Sequence, residues 1–384
     1  MPLCFKIGFL MKSAFIYSPK FSIFDYGPSH PMKTMRLKLC YNILEEYGIF
    51  KNPDVLLIEP PAATREEILL FHDEGYINAL MNMEQLEGHP DYEYNIGNAD
   101  NPAFRGVYEW SALIAGASIN AARLVGSGKI DTAFNIGGGL HHAMPAKAAG
   151  FCYINDTALA ILDLLKQGKR VVYIDIDAHH GDGVQHAFYN TDKVLTISLH
   201  ESGEFLFPKS GFVEETGEGE GEGYSVNLPF YPGTGDDVFT WGFDQVVPPL
   251  IEAFKPDVIV TQLGVDNMET DPLAHLSLTT EGFCRMVEKM KAFRLPWVAL
   301  GGGGYDITNV ARAWALAFGI MSGVELPADI PKGSIRVFEM FGYEGTALRD
   351  KHKQGKEEEA TRKWAEEKVR YIHEKVFPVH GIIG

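Results

Sequence analysis

The chain has 384 residues, 46% of them hydrophobic and 22% charged, which is typical of a globular protein. Its 51 acidic and 34 basic residues give a formal net charge of -17, which argues against direct nucleic-acid binding. The charge suits a cationic partner or substrate, and equally a soluble cytoplasmic protein without one. No apolar run approaches the roughly 20 residues of a membrane span, residues 1–10 lack a signal-peptide cleavage site, and four dispersed cysteines form no C-x-x-C pair. We therefore expect a cytoplasmic protein without disulfides.

The N-terminal third is predicted to alternate strands, helices and loops. Residues 11–17 are strand-like, and apolar residues recur at three- and four-residue spacing over 37–47, which is typical of an amphipathic helix. Thr64 and Glu67 form a capping box that predicts the start of a second helix. The polar, turn-rich stretch 88–102 indicates a long surface loop, and residues 110–124 predict a helix.

The same alternation continues to the C-terminus. Strands are predicted at 132–136, from 171, at 194–199, 258–265 and 297–300, and helices at 158–165, 248–254 and 309–318. This alternation predicts an α/β fold with an open, mostly parallel sheet and helices on both faces. Because composition does not break, we predict one domain over residues 1–384, with a core at about 12–325 and a C-terminal helical extension at 326–384, where apolar residues recur at helical spacing between Ala365 and Val376.

Residues 171–184, VVYIDIDAHHGDGV, change from a strand pattern to a polar cluster within a few positions. The Val, Ile and Tyr run favours a buried strand. Asp175, Asp177, His179, His180 and Asp182 then suit a loop and not a core. Open α/β sheets bind ligands beyond the carboxyl ends of their strands, so this segment predicts a metal site.

Asp177 and His179 would form a metal-binding set with Asp266, which follows another predicted strand. Three protein donors leave positions open for water and substrate, which is typical of a catalytic site. Zinc suits these donors, and Fe²⁺ is compatible with them. The alternative interpretation is that Asp177 and His179 only cap the following turn.

Two further strand ends carry groups suited to proton transfer and oxyanion stabilisation. His141 and His142 follow a glycine triplet, and Asp175 and Asp182 could pair with them, giving a general base and a general acid. Tyr305 follows four glycines and could stabilise an oxyanion. The alternatives are an ordinary pair of loop histidines and a buried structural tyrosine.

Several sequence motifs of the chain match those of one known family. They are HPMKTMR at 30–36, YNIG at 94–97, GGGLHHA at 137–143, GFCYIND at 150–156, YIDIDAHHGDGVQ at 173–185, LGVD at 263–266 and LGGGGY at 300–305. Together they resemble the histone deacetylase family, in particular class I and the bacterial histone-deacetylase-like (acetoin utilisation) group. The resemblance runs from about residue 14 to about 325 and implies the arginase–deacetylase fold.

The resemblance implies a role for each matching residue. The zinc ligands would be Asp177, His179 and Asp266, and the catalytic groups would be His141 with Asp175, His142 with Asp182, and Tyr305. The substrate-binding residues would be Phe151 and Phe207 as tunnel walls, Gly150 leaving room beside them, Leu273 and Asp100 at the rim, and Arg36 in an internal cavity. One K⁺ or Na⁺ site would use Asp175, Asp177, His179, Ser198 and Leu199, and a second would use Phe188, Thr191, Val194 and Tyr224.

The resemblance implies a zinc-dependent hydrolase that removes acetyl or longer acyl groups from the Nε amine of lysine in proteins or peptides, without a nucleic-acid or membrane partner. Two alternatives stay open: a deacetylase of acetylpolyamines or other small amides, and a catalytically silent acyl-lysine-binding protein. The sequence NMET at 267–270, near the expected tunnel mouth, differs from the usual class I sequence. The preferred length of the acyl chain and the peptide selectivity therefore stay open.

Overall fold

The computed structural model describes residues 12–83, 89–350 and 359–383. Eight strands within these ranges form a single open sheet in which all neighbouring strands run parallel. In chain order they are β1 (Ser13–Ile16), β2 (Val55–Ile58), β3 (Thr132–Asn135), β4 (Val171–Asp175), β5 (Val194–Glu201), β6 (Ser225–Phe230), β7 (Val258–Gln262) and β8 (Trp297–Leu300).

The helices contact one another in two groups. Within the described ranges they are α1 (Met35–Glu46), α2 (Arg65–Ile68), α3 (Glu74–Met81), α4 (Val107–Gly126), α5 (Asp156–Lys166), α6 (Asp182–Phe188), α7 (Asp236–Phe254), α8 (Thr280–Ala292), α9 (Ile307–Ser322), α10 (Lys332–Met340) and α11 (Glu359–Lys375). α4 packs against α5, whereas α1 packs on α9, α9 on α8 and α8 on α7. The two groups cover the sheet, which confirms the predicted α/β fold class.

The order of the strands brings four strand ends together at the centre of the sheet. The sheet runs β2-β1-β3-β8-β7-β4-β5-β6, so β3 and β4, which are consecutive in the chain, are separated by β8 and β7. At this point β7 and β4 are neighbours, and the connections that follow them lead away in opposite directions, to β8 and to β5. Open α/β sheets bind their ligands at such a switch point, beyond the carboxyl ends of the strands. All four strands are buried along their whole length, as expected for parallel strands covered on both faces.

The helix predicted at 248–254 is only the last part of a much longer one. α7 begins at Asp236 and includes Pro248 and Pro249 in its interior. Proline removes a backbone hydrogen bond and usually ends or kinks a helix. Here Phe239 and Phe243 belong to a buried face along the helix, and this tertiary packing outweighs the local preference. The sequence patterns also did not reveal β2, α3, α6 or α8.

The C-terminal extension contains the predicted amphipathic helix. Ala365, Val369 and Ile372 are buried on one side of α11, which packs against α7 and β6. The charged residues 351–358, predicted as part of the same helix, lie outside the described residues. The division into a core and an extension stays a prediction.

Three cysteines in the described ranges, Cys40, Cys152 and Cys284, are buried and free. Cys4 and the apolar residues 1–10 lie outside those ranges. Among the helices that the structure describes, none is both long enough and apolar enough to span a bilayer.

His72 is expected to make the fold sensitive to acid. It is 3% exposed, and its Nε2 accepts the N–H of Asn155 at 2.9 Å. Burial lowers its pKa to about 4, against about 6.5 in an unfolded chain, so the stability that the neutral ring provides is present above pH 6.5 and is lost as pH falls towards 4. Between about pH 7.5 and about pH 5, this linkage amounts to about 2 kcal/mol of unfolding free energy.

Denaturant unfolding of His72→Gln at both pH values measures this contribution. The variant should lose less stability on acidification than the wild-type protein, whereas His186→Gln, which changes an exposed histidine on α6, should follow the wild type. The same pH dependence in wild type and His72→Gln would contradict the prediction.

Candidate functional site

Three candidate metal ligands converge beyond β4 and β7. Asp177 and His179 follow β4, and Asp266 follows β7, the neighbouring strand. His179 Nδ1 lies 3.2 Å from Asp177 Oδ1 and 3.0 Å from Asp266 Oδ2. Ligand atoms of the three residues lie within 4.8 Å of one another, and all three side chains are buried. The structure thus brings together the residues predicted to hold a metal.

Residues 176–181 have no regular structure, as predicted, but Asp175 ends β4 and Asp182 begins α6. The segment lies in the core, so the expectation that it would not was wrong. Asp175 and Asp177 are at most 1% exposed. Their carboxylates, with that of Asp266, accept the backbone N–H groups of the turn: Asp177 N donates to Asp175 Oδ1 at 3.0 Å, Ala178 N to Asp266 Oδ1 at 2.8 Å and His179 N to Asp177 Oδ1 at 2.9 Å. The segment can be buried because these bonds satisfy its backbone.

Two carboxylates buried side by side fit a divalent cation. Burial, and then the negative charge of Asp177, raise the pKa of Asp266 to about 7. A cation between the two carboxylates would remove this repulsion. Two carboxylates and one imidazole are ligands that catalytic zinc accepts, and Fe²⁺ binds such donors too.

Gln262, which no sequence pattern indicated, orients one of these carboxylates. It is fully buried at the end of β7, donates from Nε2 to Asp177 Oδ2 at 2.6 Å, and accepts the N–H of Gly264 at 2.7 Å. The N–H of Gly303 donates to the same Asp177 oxygen at 2.8 Å. Such contacts fix the direction of a metal ligand. The available signal was a polar residue ending an apolar strand, four positions before Asp266.

The two predicted histidine–aspartate pairs are formed. His141 and His142 follow β3; His141 Nδ1 lies 2.8 Å from Asp175 Oδ2, and His142 Nδ1 lies 2.7 Å from Asp182 Oδ1. The Nε2 atoms of the two rings are 3.0 Å apart. Tyr173 also donates to Asp175 Oδ2, at 2.6 Å. Each carboxylate therefore holds the Nδ1 side of its ring and directs Nε2 towards the other ring.

The pKa values of the two imidazoles are shifted in opposite directions. Burial lowers both, but for His141 the charges of Asp175 and Asp177 outweigh burial and raise the pKa to about 9. For His142, burial and then the charge of His141 lower the pKa to about 4. Near neutral pH the pair therefore carries one positive charge, on His141, and His142 is neutral. A protonated and a neutral imidazole side by side can donate and accept protons.

Asp156, also missed from the sequence, fixes the loop that carries the histidines. Its carboxylate accepts the N–H of Gly139 at 3.0 Å, the N–H of Leu140 at 2.7 Å and the hydroxyl of Ser118 at 2.5 Å. A Cβ at Gly138 would lie 2.5 Å from this carboxylate. The glycine triplet is needed here because the backbone approaches the carboxylate so closely.

Tyr305 follows β8 and a glycine run that two charged residues hold. Arg36, 4% exposed, donates to the carbonyls of Gly304 at 2.7 Å and Gly302 at 2.8 Å, and its Nε has no partner among the described residues. The N–H of Tyr305 donates to Asp271 Oδ2 at 2.8 Å. Burial raises the pKa of the Tyr305 phenol well above its usual value, so the hydroxyl remains a proton donor.

The predicted tunnel walls lie beside the catalytic candidates. The ring of Phe207 is 5.0 Å from that of His142, and the ring of Phe151 is 5.7 Å from that of Tyr305, both edge to face. Phe207 is 43% exposed, so its ring reaches from the histidine pair to the surface. That the two rings wall a substrate tunnel stays a prediction.

The predicted rim residues lie further out. Leu273 is partly exposed, and Asp100 is exposed. The carbonyl oxygen of Asp100 lies 3.2 Å from His30 Nε2, and the ring of His30 packs edge to face on Phe151 at 4.4 Å. His30 therefore lies between Asp100 and Phe151. Contact of Asp100 with substrate stays a prediction.

Replacing Gly150 with alanine is expected to lower kcat at least about tenfold. The residue has a φ of +51°, and a Cβ there would lie 2.5 Å from His142 Cδ2 and 2.9 Å from Phe207 Cε1. One of these rings must move, and a catalytic group misplaced by about 1 Å can cost about a hundredfold in rate. Gly168→Ala is the matched control, because Gly168 has a φ of +74° and nothing within 4 Å of its Cβ. Equal losses of kcat in the two variants would contradict the steric argument.

The residues predicted for two monovalent-ion sites lie on neighbouring elements. Asp175 of β4 pairs in register with Ser198 of β5, and Leu199 comes next on β5. Asp177 and His179 follow β4. The second group, Phe188, Thr191, Val194 and Tyr224, lies at the end of α6, in the turn after it, at the start of β5 and just before β6. Ion binding at both places stays a prediction.

His180, for which no catalytic role was predicted, makes structural hydrogen bonds. Its Nδ1 lies 2.9 Å from Ser210 Oγ and its Nε2 lies 3.1 Å from Gln185 Oε1. The ring is buried and connects the metal-binding segment to the segment that carries Phe207.

A three-donor metal site and two histidine–aspartate pairs, at the switch point of an open parallel sheet, define a metal-dependent hydrolase with the arginase–deacetylase fold. A family model described as the histone deacetylase domain matches residues 30–321, and the chain belongs to the histone deacetylase family.

Similar proteins agree with this assignment. Histone deacetylase clr6 of Schizosaccharomyces pombe is 40% identical over 325 residues, which cover 83% of this chain and 79% of the relative. Histone deacetylase 1 of Homo sapiens is 39% identical over 340 residues, which cover 87% of this chain and 69% of the relative. The crystal structure of an HDAC homolog from Aquifex aeolicus is similar with a TM-score of 0.86 at 35% identity, covering 93% of this chain and 100% of that one. The family resemblance stated from the sequence is confirmed.

Proposed function

We propose that this protein is a zinc-dependent deacylase that removes acetyl or longer acyl groups from the Nε amine of lysine in peptides or proteins. The observation that carries the proposal is one cavity lined by Asp177, His179, both histidines of the pair and Tyr305. The histone deacetylase family is zinc-dependent in general, and the donor set fits that metal. A solved HDAC homolog, 34% identical to this chain with a TM-score of 0.86, is complexed with SAHA and covers 94% of this chain and 99% of its own.

Each side chain around the cavity has a different role in amide hydrolysis. Asp177, His179 and Asp266 would hold a divalent ion, which would supply Lewis-acid polarisation of the amide carbonyl and acidify the attacking water. His142, held through Nδ1 by Asp182, accepts the proton of that water at Nε2. Tyr305 donates a hydrogen bond to the developing oxyanion. His141, protonated beside Asp175, stabilises the charge, and a protonated histidine of the pair gives a proton to the leaving amine.

The remaining residues bind substrate and structural ions in this proposal. Phe151 and Phe207 flank the aliphatic stem of acyl-lysine, Gly150 leaves room for it, and Leu273 and Asp100 contact the substrate at the rim. Arg36 lies on the internal side, where the released acid would leave. K⁺ or Na⁺ would occupy the two groups beside β4 and β5, and Fe²⁺ could replace zinc.

A kinetic panel of one peptide with acyl groups of increasing length, together with an acetylated polyamine, tests the proposal. We expect the zinc-loaded enzyme to hydrolyse at least one acyl-lysine peptide with a kcat/KM at least about tenfold above that of the acetylpolyamine. A preference for the polyamine would identify a small-amide deacetylase. Binding of acyl-lysine peptides without turnover would identify a silent reader and contradict the proposal.

A further inference from the structure

A buried carboxylate outside the predicted catalytic set joins Tyr305 to the tunnel rim. Asp271 is 8% exposed. Its Oδ2 accepts the N–H of Tyr305 at 2.8 Å, and its Oδ1 accepts the N–H of Leu273 at 2.9 Å. One side chain therefore fixes the backbone of the predicted transition-state tyrosine relative to that of the predicted rim leucine.

Local turn chemistry explains only half of this arrangement. An aspartate commonly accepts the N–H two residues further on, and Pro272, between Asp271 and Leu273, has no N–H to compete. The bond to Leu273 is of this kind. The bond to Tyr305 spans 34 residues and cannot come from turn formation. It uses the second carboxylate oxygen, which a turn alone does not require.

Asp271 belongs to a segment that hydrogen bonds hold in place, residues 267–278, which we call the rim segment. Its ends are joined by a backbone bond from the N–H of Leu278 to the carbonyl of Asn267 at 3.1 Å. Further along the segment, the buried carboxylate of Glu201 accepts the N–H of His275 at 2.7 Å and lies 2.9 Å from its Nδ1. A group carried by this segment has a fixed position in the fold.

Tyr305 needs such an anchor because it ends a glycine run. Gly302 and Gly304 have φ angles of +132° and +133°, which side chains disfavour, and glycine backbone has the greatest conformational freedom. Arg36 holds the carbonyls of these two glycines. The N–H of Tyr305 itself is held by Asp271. A hydroxyl that must meet an oxyanion tolerates only a fraction of an ångström of displacement.

We propose that Asp271 is a positioning residue for the reaction: it holds the backbone of Tyr305 so that the phenol hydroxyl reaches the developing oxyanion, and it ties this position to Leu273 at the rim. The inference rests on the proposed deacylase function. Asp271 acts through Tyr305 and Leu273 and contributes no atom to the reaction.

A double-mutant cycle tests this role. Asp271→Ala is expected to lower kcat about tenfold to a hundredfold in the wild-type background. In a Tyr305→Phe background the same change should cost less than about twofold, because the hydroxyl that it positions is already absent. Asp271→Asn keeps one acceptor oxygen, so its kcat should lie between those of the wild type and Asp271→Ala. It replaces the alanine variant in the cycle if that variant does not fold. Equal fold losses in the two backgrounds would overturn the proposal.

Glu201→Gln is the matched control for this cycle. It alters the other buried carboxylate that holds the rim segment, but Glu201 has no bond to Tyr305. Its effect on kcat should therefore be the same in the wild-type and Tyr305→Phe backgrounds. Thermal unfolding of each variant shows whether the fold is retained. A Glu201→Gln effect that also disappears in the Tyr305→Phe background would make the coupling a general property of the loop and overturn the assignment to Asp271.

Amide hydrogen exchange tests the anchor without any activity. In Asp271→Ala the N–H groups of Tyr305 and Leu273 should exchange at least about tenfold faster than in wild type. The N–H of Leu263, bonded to the carbonyls of Leu300 and Gly301 at 3.0 and 2.8 Å, should not change. If the wild-type protein hydrolyses no acylated amine, the proposed function is wrong. If exchange at Tyr305 is unchanged in the variant, Asp271 is not the anchor.

Discussion

His142→Ala is expected to lower kcat by about a hundred- to ten-thousand-fold while the protein keeps its metal. Burial, and then the charge of His141, lower the pKa of His142 to about 4, so the ring is neutral at pH 7 and can accept a proton. The three converging metal donors do not include His142, so truncation leaves the donor set intact. Steady-state kinetics and metal analysis of the same preparation measure the two effects separately.

Two companion variants make this result specific. Asp182→Asn keeps the imidazole but removes the carboxylate 2.7 Å from its Nδ1, so an intermediate loss of kcat is expected. His186→Ala changes an exposed histidine on α6, the helix that begins at Asp182, and should retain full activity. If His142→Ala keeps a tenth or more of the wild-type kcat, or loses metal in parallel with activity, the assignment of His142 as the base is wrong.

The strands that carry the site could be predicted one by one, because each is an apolar run that ends abruptly in polar residues. The sequence does not contain their order in the sheet. β7 and β8 follow β4 in the chain but lie between β3 and β4, and this insertion brings Asp266 and Tyr305 beside the histidine pair. Strand order results from long-range packing, so the strand endings predicted the metal-binding set and the histidine–aspartate pairs as possibilities, and the resemblance joined them into one site.

The side chains that support the catalytic groups were harder to predict. Asp156, Gln262 and Asp271 act mainly by accepting backbone N–H groups or by donating to a carboxylate. These contacts join residues far apart in the chain and leave no spacing pattern. A buried polar side chain needs partners, but the sequence does not say which ones.

Elements without their own periodicity were missed for a related reason. β2, VLLI, is a short apolar run without alternation, and nothing in it reveals its place at the edge of the sheet, where two of its four residues are exposed. α7 contains Pro248 and Pro249, which locally argue against a helix, and packing of its apolar face decides the outcome. Local rules failed where tertiary contacts outweigh them.

Asp266→Asn is expected to abolish both deacylase activity and the stabilisation of the protein by zinc. A ligand that binds only the folded state at about 100 times its Kd adds about 2.7 kcal/mol to the free energy of unfolding. The wild-type protein should gain this amount when zinc is returned after chelation, and Asp266→Asn should gain almost none, because a neutral amide is a poor substitute for the carboxylate. Denaturant unfolding with and without zinc makes this measurement independent of activity.

Glu204→Gln provides the control, because it neutralises an exposed carboxylate and should respond to zinc like the wild type. Activity should return to the wild-type protein when zinc is added back and should stay absent in Asp266→Asn. A variant that gains as much stability from zinc as the wild type does would show that Asp266 is not a ligand.

The metal-free proteins separate loss of a ligand from damage to the fold. Burial, and then the charge of Asp177, raise the pKa of Asp266 to about 7, against about 3.9 in an unfolded chain. At Asp266 the folded wild type therefore binds more protons in this interval, and the contribution of this group to the metal-free stability should fall as pH rises from about 4 to about 7. Asp266→Asn removes this titration while its amide oxygen can still accept the N–H of Ala178. At pH 7 the metal-free variant should be at least as stable as the metal-free wild type. A less stable variant would mean that the hydrogen bond from Ala178 to the carboxylate stabilises the fold more than repulsion by Asp177 destabilises it.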